Sequence, residues 1–223
     1  MKYTDYQVTL ELTEPMLGTV PKNPKVYEEY IASKAPSLQA GNEEVEVEKS
    51  REDIEKGGWT GFHHDDQGLF LYDYQIMGFL KEAGNTLKEQ LGIKNLRSKI
   101  EQFVFVLPRR IHFAQKPCDE PLERPLRAMT MQGPRVTLTR SDMVPTGTKI
   151  EFTIRLLDNW KTDKGDDGNG KKRVPEISAD TLKEILGFGG LKGLGQWRNG
   201  GYGRFEVVSM KPVTKDTKED AAS

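Results

Sequence analysis

The chain has a single cysteine, Cys118, among its 223 residues. One thiol forms no internal disulfide and no cysteine metal cage, which excludes a disulfide-stapled scaffold and suits a reducing cytoplasm. Long apolar runs are also missing. No window approaches the roughly 20 apolar residues that a bilayer span needs, and the opening MKYTDYQVTLEL alternates polar and apolar side chains where a signal peptide is continuously apolar. The reading is a cytoplasmic protein without a membrane partner. Excess charge of either sign is absent as well: 33 Lys plus Arg stand against 34 Asp plus Glu, a formal net charge of −1, which excludes a uniformly basic nucleic-acid coat.

What is present is a polar but foldable chain, 35% apolar and 30% charged, whose core is expected to be modest. At about 150 residues per domain the length suits one elaborated domain or two small ones. Charge is segregated along it. Asn42 to Glu55 reads NEEVEVEKSREDIE, whereas Pro108 to Arg140 carries Arg109, Arg110, Lys116, Arg124, Arg127, Arg135 and Arg140 against Asp119, Glu120 and Glu123. Such a stretch can give a neutral protein a basic face, and arginine favours forked contacts to phosphate. It equally suits a solvated strand pair bridged to the acidic segment.

Tyr6, Val8, Leu10 and Leu12 fall at period two, predicting an opening strand. A short helix follows Pro24, and the acidic stretch reads as a solvent-facing helix or mobile insertion. Asp73 is a candidate N-cap for a helix with Ile76, Leu80, Ala83, Leu87 and Leu91 on one face. Gly78 and Gly84 inside it imply close packing against a neighbour or backbone approach to a ligand. A second helix over Ile93 to Gln102 leads into the strand FVFVL. Strands are predicted at Pro125 to Met131, Arg135 to Thr139 and Lys149 to Leu157, then a flexible loop or hairpin tip in DNWKTDKGDDGNGKKRVP. Ser178 caps a last helix, with Ile177 and Leu182 as a hydrophobic staple, and a strand from Tyr202 to Met210 precedes a disordered charged tail at 211–223. The order predicts an α+β domain with helices on one face of an antiparallel sheet.

The segment GFGGLKGLGQWRNGGYGRFE, Gly187 to Glu206, contains eight glycines. Glycine permits positive φ and close backbone approach, Lys192, Arg198 and Arg204 supply charge, and Trp197 and Tyr202 supply stacking faces, as a loop gripping a sugar-phosphate chain requires. Neither the GxxxxGK[ST] pattern nor a dinucleotide fingerprint is present, so no nucleotide cofactor is implied.

Three segments in order resemble the RAMP superfamily, the repeat-associated proteins of CRISPR systems. LELTEPMLGTVP looks like that family's first strand and its apolar-Pro-apolar-Gly turn, LFLYDYQIMGFLKEAGNTLKEQL like its first major helix, with Gly78, Leu80, Lys81 and Ala83 at the matching places, and GGLKGLGQWRNGGYGRFEV like its glycine-rich loop, ending in Gly201, Tyr202, Gly203 and Arg204. The matches cover about a quarter of the chain. The resemblance implies a ferredoxin-like, RRM-related fold over 1–210, with insertions at about 36–68 and 158–175, that holds single-stranded RNA. Members are guide-RNA-processing endoribonucleases or backbone subunits that polymerise along RNA. Here Ile76-Met77 stands where the family has Gly-Ser, which removes that serine's hydroxyl, and large insertions are lacking, so a stand-alone or mobile-element relative fits as well.

His63, His64, Asp65 and Asp66 lie in GGWTGFHHDDQG, read as an exposed glycine-bounded loop. A metal-independent ribonuclease needs a general acid and base, commonly histidine. Adjacent residues of an extended segment point opposite ways, however, so these four build no metal cage by themselves, and no metal is expected. His112, in RRIHF, suits a phosphate contact or simple exposure. Trp59, Phe62, Trp160, Trp197 and Tyr202 fall outside periodic faces and suit either base stacking or loop anchoring.

The reading is non-enzymatic binding of single-stranded RNA or DNA, in a self-associated or larger ribonucleoprotein complex. Its expected contacts are Lys81, Arg109, Arg110, Arg127, Arg135, Lys192, Gly195, Trp197, Arg198, Gly201, Tyr202, Gly203 and Arg204. The alternatives are an endoribonuclease using His63 or His64, and a docking module acting on a nucleic-acid-guided complex.

Overall fold

A computed structural model of the protein describes residues 2–22, 59–113, 121–130, 133–164 and 171–213, with backbone alone for 126–130, 133–138, 160–164 and 171–175. The helix after Pro24, the acidic stretch, Cys118 and the end of the tail lie outside the described residues.

In chain order, β1 (Tyr3–Leu12) is followed by β2 (Met16–Leu17), β3 (Val20–Pro21), β4 (Trp59–Gly61), β5 (His63–Asp65) and β6 (Gly68–Tyr72). Next come α1 (Asp73–Leu87), α2 (Leu96–Phe103), β7 (Val104–Leu107), β8 (Arg110–His112), β9 (Leu122–Thr130), β10 (Gly133–Ser141), β11 (Met143–Val144) and β12 (Lys149–Leu157). The chain continues through β13 (Trp160–Lys164), β14 (Lys171–Pro175), α3 (Ala179–Gly187), α4 (Gly189–Lys192) and β15 (Phe205–Pro212).

The main sheet runs β15-β1-β12-β7 with every neighbouring pair antiparallel. Period two decides its faces: Val8, Leu10, Ile150, Phe152 and Ile154 are buried on one side, while Gln7, Thr9, Glu151 and Thr153 alternate with them. Against the buried side pack Ile76, Leu80 and Ala83 of α1, Ile100 of α2, and Leu182, Ile185 and Leu186 of α3. A second sheet, β3-β4-β10-β9, and a third, β5-β6-β8, carry the segments that flank the glycine-rich loop.

Local chemistry explains where elements start and stop. Tyr72, not Asp73, occupies the N-cap of α1, because the Gln75 side chain folds back to accept the Tyr72 backbone N–H at 2.9 Å. The helix ends at Leu87, so Leu91 falls in the following turn and is only half-buried. Asn95 takes a left-handed conformation, φ 56°, which breaks the helical path and delays α2 to Leu96. Ser178 caps α3, its Oγ accepting the Thr181 N–H at 3.1 Å, and both staple residues, Ile177 and Leu182, are fully buried. The tract after Leu157 forms the antiparallel pair β13–β14 on either side of 165–170. β15 runs to Pro212, past the expected end at Met210, because β1 still offers Gln7 and Tyr6 as partners for Lys211 and Pro212.

The two helical glycines sit in different surroundings. A Cβ on Gly84 would overlap Ile100 Cδ1, so this glycine lets α2 approach α1. A Cβ on Gly78 would meet nothing within 4 Å, and that face of α1 borders a cleft.

Candidate functional site

Between α3 and β15 the chain folds back on itself as a compact loop. Leu194 N–H donates to Gly203 O at 2.8 Å, Gly203 N–H to Pro15 O at 2.8 Å and Gln196 N–H to Leu17 O at 3.2 Å. Gly193, Gly195 and Gly203 all have positive φ, and a Cβ on any of them would collide with backbone: Gly203 with Leu194, Gly193 with Tyr202 and Gly203, Gly195 with Leu17. These three glycines are therefore required by the close packing of the loop. Gly201 differs. Its φ is +92°, and a Cβ there would meet only the Arg204 guanidinium carbon, at 4.0 Å.

The loop is tied to the second sheet through Gln196. Its Oε1 accepts from Thr60 Oγ1 of β4 at 2.9 Å and from Ser141 Oγ of β10 at 3.1 Å. Beyond this anchor Trp197 takes a left-handed backbone, φ 55°, and stands 42% exposed, stacked on Tyr202 with centroids 5.3 Å apart and planes 12° from parallel. The Arg124 guanidinium of β9 lies 4.1 Å from the Trp197 ring centroid. Alongside runs an open groove of about 560 Å³, lined by Glu14, Pro15, Asn199, Gly201, Tyr202 and Arg204. Arg204 is exposed and makes no ion pair with another described residue.

A second cleft, about 400 Å³, separates α1 from the loop and is lined by Tyr74, Gln75, Gly78, Glu82, Gly195 and Arg198 among others. Glu82 pairs with Arg198 at 2.6 Å and with Lys192 at 3.4 Å. Burial pushes the Glu82 carboxyl up, but the hydrogen bonds and charge of Arg198 and Lys192 outweigh it and hold it below its ordinary 4.5. Two of the three loop cations are thus already engaged by one carboxylate. Lys81 reaches Glu101 of α2, 3.3 Å away, instead of the loop.

Of the HHDD residues only Asp66 lies in an exposed turn. His63, His64 and Asp65 are strand β5, paired with β6, because Phe70 and Leu69 offer them a ladder. His63 packs on Phe70 and Tyr72, with centroids at 5.6 and 4.7 Å, while His64 is exposed. Asp65 accepts from Arg110 at 3.1 Å and contacts His112 Nε2 at 2.9 Å. Arg109 lies 5.5 Å from the Tyr72 ring, and Tyr72 stacks on Tyr74. Arg109 and Arg110 therefore belong to an aromatic surface on the third sheet, apart from the loop cations. Sequence reading missed Tyr72 and Tyr74; the signal available was the aromatic pair in YDY across the strand-to-helix junction. Phe62 is buried in the core and Trp59 donates its indole N–H to Asp142 at 3.1 Å, so both anchor loops. Arg127 and Arg135 lie on β9 and β10, with only their backbones described.

Burial, aided by the charge of His64, lowers the His63 pKa from its ordinary 6.5. The unfolded chain then takes up a proton that the folded chain refuses, so stability falls as pH drops through 6.5 toward the lower folded value. Melting curves at about pH 7 and about pH 5 should show His63→Gln losing less stability on acidification than the parent. Equal acid sensitivity would place the titrating group elsewhere.

No protein-family model matches the chain, and no curated protein matches it. Among solved structures the fold is similar to that of a chain in the cryo-EM structure of the Type III-B Cmr-beta bound to cognate target RNA, with 12% identity and a TM-score of 0.51. The match covers 96% of this chain and 61% of that one, so this chain spans about three fifths of its neighbour's length. At that identity the likeness is one of fold: a mixed α/β architecture with antiparallel sheets.

Proposed function

We propose that this protein binds single-stranded nucleic acid, RNA in preference to DNA, without cleaving it, as a coating or scaffold subunit of a larger ribonucleoprotein assembly. The observation that carries the reading is the Trp197–Tyr202 stack, with Arg124 against its Trp197 end and with Tyr202 and Arg204 lining an open groove. Stacking faces beside cations match the alternation of base and phosphate along a strand. The likeness to a chain of an RNA-bound complex supports the same reading. So does the main-sheet order: numbered along the chain its strands run fourth, first, third, second, with helices after the first and third. That order fits a ferredoxin-like domain of RAMP type over 1–210.

The test is a fluorescence-anisotropy titration of labelled single-stranded RNA and DNA oligomers at two salt concentrations, followed by a denaturing gel. Salt-sensitive binding with intact oligomers is expected. Shortened oligomers would move the reading to an endoribonuclease using His63 or His64, and no binding to either strand would leave a protein-docking module. Arg204→Gln should flatten the dependence of log K on log salt by about 0.7, the value of one phosphate contact on a single strand. Arg198→Gln should change it less, because Glu82 already neutralises that side chain. Equal slopes for both variants would mean that the Glu82 pair opens on binding.

A further inference from the structure

Arg124 is 7% exposed, and its Nε and Nη1 are buried without a hydrogen-bond partner. No carboxylate among the described residues forms an ion pair with it. Burying a guanidinium is costly unless acceptors replace its lost water, and native proteins leave few such donors unpaired. What Arg124 has instead is the Trp197 ring, and an aromatic face compensates only a small part of that desolvation. Burial accordingly lowers its pKa.

A second anomaly lies against the first. Trp197 holds a left-handed backbone conformation, unfavourable for a residue with a Cβ, while leaving a large apolar surface in water. Both are accounted for by a ligand that brings acceptor oxygens to Arg124 and a flat face to the Trp197–Tyr202 stack.

On the nucleic-acid reading above, we infer that Arg124 is the seat of a backbone phosphate, with the adjoining base stacked at Trp197 and Tyr202. Nε and Nη1 have no accessible surface and Arg124 lines neither groove, so the phosphate meets them as the guanidinium turns outward, where its two unesterified oxygens suit the fork. A carboxylate of a protein partner would also satisfy Arg124, but it would leave the near-parallel ring stack unused. The sequence reading counted Arg124 only within a basic run, since nothing local distinguishes it from Arg127 or Arg135.

The test uses the full chain with Arg124→Met and Arg124→Lys, read by thermal melting without ligand and by anisotropy of a labelled single-stranded oligomer at two salt concentrations. An uncompensated buried charge replaced by a methionine should leave the melting temperature unchanged or raised, while affinity falls about tenfold or more and the salt slope flattens by about 0.7. Arg124→Lys should keep the fold and recover only part of the affinity, lacking the planar fork. Parental affinity and slope in Arg124→Met would overturn the inference while leaving nucleic-acid binding intact. A methionine variant that melts several degrees lower, or does not fold, would also overturn it by making Arg124 structural. An oligomer that fails to bind the unmodified protein would remove the nucleic-acid reading itself. In that case, stabilisation of Arg124→Met with protection of the parent by an acidic peptide would assign the seat to a protein carboxylate.

Discussion

Gly203→Ala should lower the melting temperature by about 6 to 12 °C, corresponding to about 3 kcal/mol in a chain of this size. Two costs combine. A side chain in the left-handed region costs about 1 to 2 kcal/mol, and Gly203 has φ +72°. The added Cβ would also overlap the Leu194 carbonyl oxygen, so either Leu194 moves or the Leu194–Gly203 hydrogen bond is lost, which costs about 1 to 3 kcal/mol more. Gly201→Ala is the control. It shares the positive φ but meets only Arg204 at 4.0 Å, and should cost only the backbone term of about 1 to 2 kcal/mol. Circular-dichroism melts of the two variants separate the contributions. Equal losses would mean that the loop is loose enough to absorb the overlap.

Trp197→Ala should weaken oligomer binding by about 1 to 3 kcal/mol, or roughly 5- to 150-fold, because the ring is both a stacking face and the surface against which Arg124 lies. Stability should fall as well, by about 1 to 3 kcal/mol, since more than half of the ring is covered and Arg124 and Tyr202 lie against it. Trp197→Phe should lie between the parent and the alanine variant in affinity. Unaltered affinity together with a clearly lower melting temperature would make this tryptophan a loop anchor and move the binding surface toward Tyr72, Tyr74 and Arg109. Titration and melting of the same preparations give both numbers.

Much of the fold was legible because its signals are local. β12 spans Lys149–Leu157, as period two predicts, and the Ser178 cap and Ile177–Leu182 staple are stated within six residues of chain. What was not legible depends on partners distant in sequence. His63 to Asp65 look like loop until Leu69 and Phe70 return beside them. Lys192 and Arg198 look like free cations until α1 brings Glu82 between them. The glycines of the loop advertise openness, yet Gly193, Gly195 and Gly203 are required by carbonyls of Tyr202, Leu17 and Leu194, contacts that composition does not encode. Arg124 is the extreme case, since what distinguishes it is that its Nε and Nη1 find no hydrogen-bond partner among the described residues.

The Gln196 anchor has a mechanical consequence. Thr60, Ser141 and Gln196 meet as three oxygens served by two hydroxyl hydrogens, at the base of the β9–β10 ribbon. Each ribbon strand has nine residues, a reach of about 30 Å. The ribbon therefore meets the glycine-rich loop near its base at two points, the Gln196 amide and, through Arg124 of β9, the adjoining Trp197 ring. Gln196→Ala would remove the first attachment and leave the second, so the ring that faces solvent would be held to the ribbon by a cation–π contact alone.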